Sequence, residues 1–171
     1  SDGRMSEWTA DSNWNWTSQQ IHSPGSNGFL AAESAFNMDF NGDSVIGRSN
    51  TTVESQGSVE LQKDANGMGW VKLANGSLDD ITGGGRRVGD GSYQGWSQVA
   101  AETLNGQNKV LWMHSSGRLS EWSVDSNWNY QSHQEHLTGS NGFFQAETNY
   151  NLDFNNDSLI GRSNTTVESQ G

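Results

Sequence analysis

The stretch Trp8-Thr-Ala-Asp11-Ser-Asn13-Trp14-Asn15 is written a second time as Trp122-Ser-Val-Asp125-Ser-Asn127-Trp128-Asn129. Extended in both directions, the match runs from Ser1 to Gly57 and from Ser115 to Gly171, without a gap at a constant offset of 114, and about two-thirds of the paired positions are identical. Self-similarity at a fixed period marks a repeat architecture, in which each unit is one supersecondary block that buries its apolar face against its neighbours. Modules built for repetition support, space or adhere more often than they catalyse, so the expectation is a non-enzymatic protein.

Residues 58–114 have no second copy. From Ser58 the chain is a succession of short alternating runs: Val59–Leu61, Met68–Leu73, Trp96–Val99, Lys109–Met113 and Leu119–Val124. Between them stand Asn66-Gly67, Asn75-Gly76, the stretch from Gly83 to Gly91, Asn105-Gly106 and Ser116-Gly117, several of which supply the positive φ angles that tight hairpins need. The pattern predicts an antiparallel meander of about five or six strands ending near Tyr130. Beyond it, Phe143, Ala146, Tyr150 and Phe154 fall at i, i+3, i+7 and i+11, and Phe29, Ala32, Phe36 and Phe40 do the same in the first copy. That is the spacing of one helical face, so a helix of about three turns is expected before an Asp-rich loop in both copies. The meander flows unbroken into the helix and loop. Residues 58–171 therefore read as a complete unit, and 1–57 as the C-terminal half of a preceding one. The expected fold class is α+β, mostly β: a meander, a short helix and an EF-hand-like Asp/Asn loop, repeated with a 114-residue period.

In the loop, Asp39, Asn41 and Asp43, matched by Asp153, Asn155 and Asp157, place oxygen side chains at positions 1, 3 and 5. Calcium takes roughly six to eight oxygens, and short side chains at alternate positions let one tight loop wrap round it. The backbone carbonyl of Val45 or Leu159 is the next expected ligand, and Ile46 and Ile160 sit where such a loop carries its core anchor. The second half departs from the pattern. Ser44 and Ser158 stand where a glycine is usual, and Asn50 and Asn164 where a bidentate Glu is usual. Glu33 and Glu147 in the helix, or Glu54 and Glu168 downstream, are candidates to bring a carboxylate from outside. Calcium, held with modest affinity, is the expected cofactor; the competing account is an Asp/Asn turn that merely ends a helix.

Composition narrows the partners. The net charge is −11, from 20 acidic and 9 basic residues, and the one basic pair, Arg86-Arg87, is flanked by Asp79-Asp80 and Asp90. Nucleic acid, which needs clustered Lys and Arg, is not an expected partner. No run approaches the roughly 18 apolar residues of a membrane helix, so membrane insertion is not expected either. The chain has no cysteine, which removes disulfides and thiol chemistry and leaves bound metal as one available staple. Hydrophobic residues make up only 31 %, but eight Trp and six Phe are among them, so a few large rings must carry the core.

Those rings have a second reading. Trp14 and Trp16, matched by Trp128 and Tyr130, alternate with Asn and could project from one face of a strand as sugar-stacking platforms. The competing account is that they are core. Enzyme signals are weaker. The Gly83–Gly91 stretch lacks the Lys-Ser/Thr of a phosphate loop and reads as a hairpin. His22 and His136 recur without a metalloprotease spacing or a nucleophile elbow, and His133 is matched by Gln19, which speaks against a repeated metal site. Glu102, Asp79 and Asp80 are not distinguished from surface acids.

The order Val53-Glu-Ser-Gln-Gly57-Ser-Val-Glu-Leu61, Gly95-Trp96, Ala101-Glu102, Val110-Leu-Trp112, Trp122-Ser-Val-Asp125-Ser-Asn127, Glu147 and Asp153-Phe-Asn155-Asn-Asp157-Ser-Leu-Ile160-Gly161 resembles the tryptophan-rich Synechocystis-type C-terminal domain family. The resemblance spans essentially all of 53–161, with 1–47 similar to the second half of another copy. Where that family usually writes Asp-Gly in its loop, this chain has Asp43-Ser44 and Asp157-Ser158. The resemblance implies a repeat in a large, calcium-associated secreted or cell-surface bacterial protein, with neighbouring repeats as partners. The leading expectation is a non-catalytic, calcium-stabilised module of surface structure or adhesion. Its alternative is a carbohydrate-binding module that takes polysaccharide on Trp14, Trp16, Trp128 and Tyr130.

Overall fold

A computed structural model describes residues 2–162, so Asn164 and Glu168 lie outside the described residues. The chain is mostly β, built of antiparallel sheets with two short helices, and it divides into two compact units after Ser49.

In the first unit, β1 (Met5–Ala10) pairs antiparallel with β2 (Trp16–His22), and α1 (Asn27–Phe36) follows. The hairpin turn is made by Asp11, whose carboxylate accepts the N–H groups of Asn13 and Asn15 at 2.8 and 2.9 Å. Ser26 caps α1 by accepting the Phe29 N–H, and Asn37 ends it in the left-handed region at φ 51°. At ten residues the helix is close to the three turns expected, but it ends at Phe36, ahead of Phe40. Phe40 lies past the end and folds back, edge-on to Phe29 and Phe36 at 6.4 and 6.3 Å, which is why the helical spacing reaches it.

The second unit holds two four-stranded sheets where the sequence predicts one meander. The first is ordered β3 (Thr51–Glu54), β4 (Glu60–Lys63), β5 (Gly69–Lys72), β6 (Leu78–Asp80). Its β3–β4 pair puts both sides of the Gly57–Ser58 junction into one sheet. A small hairpin follows, β7 (Thr82–Gly83) with β8 (Arg86–Arg87), turning at Gly84 and Gly85. The second large sheet is ordered β12 (Tyr130–His136), β11 (Leu119–Val124), β10 (Gln107–His114), β9 (Trp96–Leu104), and α2 (Asn141–Tyr150) follows. Asn105 and Gly106, at φ 51° and 78°, make the β9–β10 turn in the doubly left-handed form that suits the twist of the flanking strands. The sheet therefore runs on to His136, past the predicted end near Tyr130. Its last strand, Tyr-Gln-Ser-His-Gln-Glu-His, is an exposed edge with almost no apolar alternation to announce it.

Strand alternation gives the second large sheet two apolar faces. On one, Val110, Trp112, Trp122, Val124 and Trp128 pack with Leu61, Val71, Ile81 and Val88 from the neighbouring elements. On the other, Ala100, Leu111 and Leu119 pack with Phe143, Ala146, Tyr150 and Phe154 from α2 and the loop after it. Tyr150 reaches Glu121 with its hydroxyl at 3.5 Å, and burial, aided by that carboxylate, pushes the phenol pKa far up. The result is a layered unit: sheet, sheet, helix.

Candidate functional site

Both Asp-rich loops fold alike. Asp39 accepts the Gly42 and Ser44 N–H groups, Asn41 accepts that of Asp43, and Asp43 accepts that of Val45, at 2.6 to 2.9 Å. In the second copy Asp153 accepts the N–H groups of Asp157 and Ser158, Asn155 accepts that of Asp157, and Asp157 accepts that of Leu159. The fourth and sixth loop positions, Gly42 and Ser44 or Asn156 and Ser158, all have positive φ. Glu33 and Glu147, candidates to reach an ion, do something else. Each is fully buried, and its carboxylate accepts three backbone N–H groups from the loop. For Glu33 the donors are Phe40, Asn41 and Gly47 at 3.0, 3.2 and 3.1 Å; for Glu147 they are Phe154, Asn155 and Gly161 at 3.1, 3.4 and 3.1 Å.

Each loop thus offers an ion two carboxylates and one amide, about half the oxygen set calcium prefers. Among the described residues no group of three or more His, Asp or Glu side chains is gathered to hold a metal. A carboxylate oxygen that accepts one N–H keeps a free lone pair, so the loop closes on itself and still presents acceptors. Asn50 belongs to the second unit, where its amide donates to Gln62.

The four expected platform residues separate. Trp14 and Trp16 are exposed, and Tyr130 is half-buried. Trp128 is a correction: it is enclosed in the core and cannot serve as a surface platform. The cause is not its turn, which both copies share. Asp125 accepts the Asn129 and Asn127 N–H groups at 3.0 and 2.9 Å, and these bonds lower its carboxyl pKa. The turn holds Trp128 at φ 61°, as its counterpart holds Trp14 at 63°, and Trp128 is buried because Leu61, Val71, Ile81, Val110 and Trp112 pack in one cluster with it. The recurrent histidines are packing residues. A Cβ at Gly28 or Gly142 would stand 2.1 or 2.2 Å from Nδ1 of His22 or His136, so each imidazole lies on the glycine of the following helix.

An aromatic recess lies elsewhere, on one face of the β9–β12 sheet. The register sets Val110 opposite Trp122 and Trp112 opposite Ser120, which makes Trp112 and Trp122 diagonal neighbours, their rings 4.7 Å apart. Tyr93 stands edge-on to both at 5.5 and 5.6 Å, and Tyr130 lies 4.6 Å from Trp122. Together with Trp96 these rings line a cavity of about 440 Å³ floored in part by Gly83 and Gly84. Its polar side carries Ser120, His133 and Glu135. His133 Nδ1 is 2.8 Å from the Tyr130 hydroxyl, and Glu135 is 3.6 Å from the Arg118 guanidinium. Trp112 has its indole N–H buried without an acceptor. Of these residues, only Tyr130 is singled out by sequence as a binding residue. The signal was present but non-local: His133 and Glu135 share one face of β12, two residues apart, and Trp112 and Trp122 meet only once the strands pair.

The recess thus sits on a Trp-weighted, mostly antiparallel β scaffold. The chain matches the family described as tryptophan-rich Synechocystis species C-terminal domain over residues 1–47 and 59–161, and it belongs to that family. No curated protein and no solved structure matches it significantly.

Proposed function

We propose that the second unit is a non-catalytic saccharide-binding module in a repeat protein of the bacterial surface. The observation that carries this reading is the aromatic cavity. Its volume falls within the range of about 300–1,000 Å³ usual for small-ligand sites, and it has their composition, mostly apolar with a few convergent polar groups. A pyranose has an apolar C–H face that suits a flat ring and a rim of hydroxyls that suits a carboxylate, an imidazole and a serine. Tyr130 and Trp96, backed by the buried Trp122, supply the first, and Glu135 and His133 the second, with Ser120 at the base. An extracellular setting, which the resemblance implies, is part of this proposal, since that is where polysaccharide is met. A glycan array on the intact chain, followed by calorimetry of any hit, tests the reading. Tyr130 and Glu135 lie outside the buried core, so Tyr130→Ala and Glu135→Ala should keep the fold. A hydrogen bond to a charged group contributes about 1.5–3 kcal/mol, so Glu135→Ala should weaken binding by roughly ten- to a hundred-fold. No binder on a broad array, or binding indifferent to both changes, rejects the proposal.

A second reading is the calcium-stabilised repeat, a full unit with a 114-residue period. What supports it is the loop backbone, with positive φ at the fourth and sixth positions in both copies and Asp, Asn and Asp oxygens turned inward on the loop. An ion bound only by the native loop stabilises by mass action. Adding millimolar calcium to chelator-treated protein should then raise Tm, and an unchanged Tm removes calcium as the staple.

A further inference from the structure

We infer that the uncovered apolar surfaces of the first unit, on the β1–β2 ribbon and at the end of α1, are the seat of a β-meander of the kind this chain itself carries at residues 58–114. The two copies of the repeated sequence make the comparison internal. The helix-and-loop interior is closed in both: Phe29 and Phe143, Ala32 and Ala146, and Glu33 and Glu147 are all buried. The remaining apolar positions are not. Trp8 is 69 % exposed against 7 % for Trp122, Trp14 90 % against 1 % for Trp128, and Phe36 59 % against 2 % for Tyr150.

In the second unit these same positions are covered by residues between 58 and 114. Leu61, Val71, Ile81, Val110 and Trp112 cover Trp122 and Trp128, while Ala100 and Leu111 cover Tyr150 and Phe154. The backbone tells the same story. β11 pairs on one side with β12 and on the other with β10, whereas β1, its counterpart, pairs among the described residues with β2 alone. An edge strand with a flat aromatic face beside it is a template for strand addition, and a two-stranded ribbon is marginal until a third strand joins. The occupant that fits is therefore set by chemistry already in the chain. It is a strand block that lays a β10-like edge along Met5–Ala10 and a Val/Leu/Trp face over Trp8 and Trp14.

The experiment lengthens the intact chain with a second copy of residues 58–114 placed directly ahead of Ser1, so that His114 meets Ser1 as it meets Ser115. Hydroxyl-radical footprinting then reads Trp14 and Trp128 in the same molecule. In the original chain Trp14 should oxidise rapidly and Trp128 slowly; in the lengthened chain Trp14 should fall to the rate of Trp128. A Trp14 rate unchanged by the added segment overturns the inference, whether or not that segment folds. Trp14→Asp gives an independent reading. It should leave Tm of the original chain unchanged and lower that of the lengthened one, and an equal response in both also overturns the inference.

Discussion

Trp14 and Trp128 have nearly the same backbone, φ 63° and 61°, in opposite surroundings. A bulky residue in the left-handed region costs roughly 1–2 kcal/mol, and such strain persists only where something over-determines it. Burial cannot be that cause at the exposed Trp14. The common element is the Asp three residues upstream, which ties the turn through paired N–H bonds in both copies. Trp14→Gly should therefore be neutral to about 1 kcal/mol stabilising, the relief of strain being partly offset by glycine's chain entropy. Trp128→Gly relieves the same strain but empties the core, and should cost on the order of 3 kcal/mol in denaturant unfolding. Glu54 offers a residue-level pH test. Burial, with Glu102 adding like charge nearby, raises its carboxyl pKa, and one of its oxygens is buried without a partner. A raised carboxyl pKa means that the folded chain holds the proton more tightly than the unfolded one. The associated stability is present below the ordinary Glu range and is lost as pH rises through the elevated value. Glu54→Gln should thus raise Tm at pH 7, and the gain should vanish once the pH falls below that range; an equal gain at both would place its origin elsewhere.

At the scale of elements, each helix is joined to its loop by one buried carboxylate that accepts three N–H groups, the last of them 14 residues away. Glu147→Gln replaces one oxygen by an amide NH₂ and leaves a buried donor facing a donor. With charged hydrogen bonds at about 1.5–3 kcal/mol and an unsatisfied buried donor at about 1–3, the loss should be near 3 kcal/mol in urea titration, and a loss below about 1 would show that the loop closes without the clamp. The helices themselves were legible, because Phe, Ala and Tyr or Phe recur at helical spacing and short caps bound them. The hairpins at Asn105-Gly106 and Gly84-Gly85 were legible because positive φ in pairs demands those residues. Glu147 was visible only as a possible ion ligand, since nothing local says that Gly161 will come within reach of it. The strand Tyr130–His136 was missed because its polarity gives no alternation. The cavity was missed because Tyr93, Trp96, Trp112 and Trp122 come together through strand pairing, not spacing. Most telling, Trp14 and Trp128 share their local sequence, so no local reading could say that one is core and the other bare; residues 58–114 decide it.

At the scale of the whole molecule, two units built from similar sequence should differ in stability for a reason that can be stated. The second unit buries two apolar clusters on opposite faces of a four-stranded sheet. The first has a two-stranded ribbon and one ten-residue helix, with few buried apolar side chains among its described residues. Ribbons of two strands are marginal in water, and regions with few buried contacts open at low free-energy cost, well below global unfolding. Hydrogen exchange read by mass spectrometry compares the matched segments 5–22 and 119–136 in one experiment, where similar sequence keeps the intrinsic rates similar. The amides of β1 and β2 should exchange far faster than those of β11 and β12, and denaturant should melt the first unit before the second. A saccharide bound in the cavity should slow exchange in β11 and β12 and leave β1 and β2 as they were, because every lining residue lies in the second unit. Equal exchange in the two hairpins would mean that the face carrying Trp8 and Trp14 is already covered, and the contrast drawn from their exposure would fail.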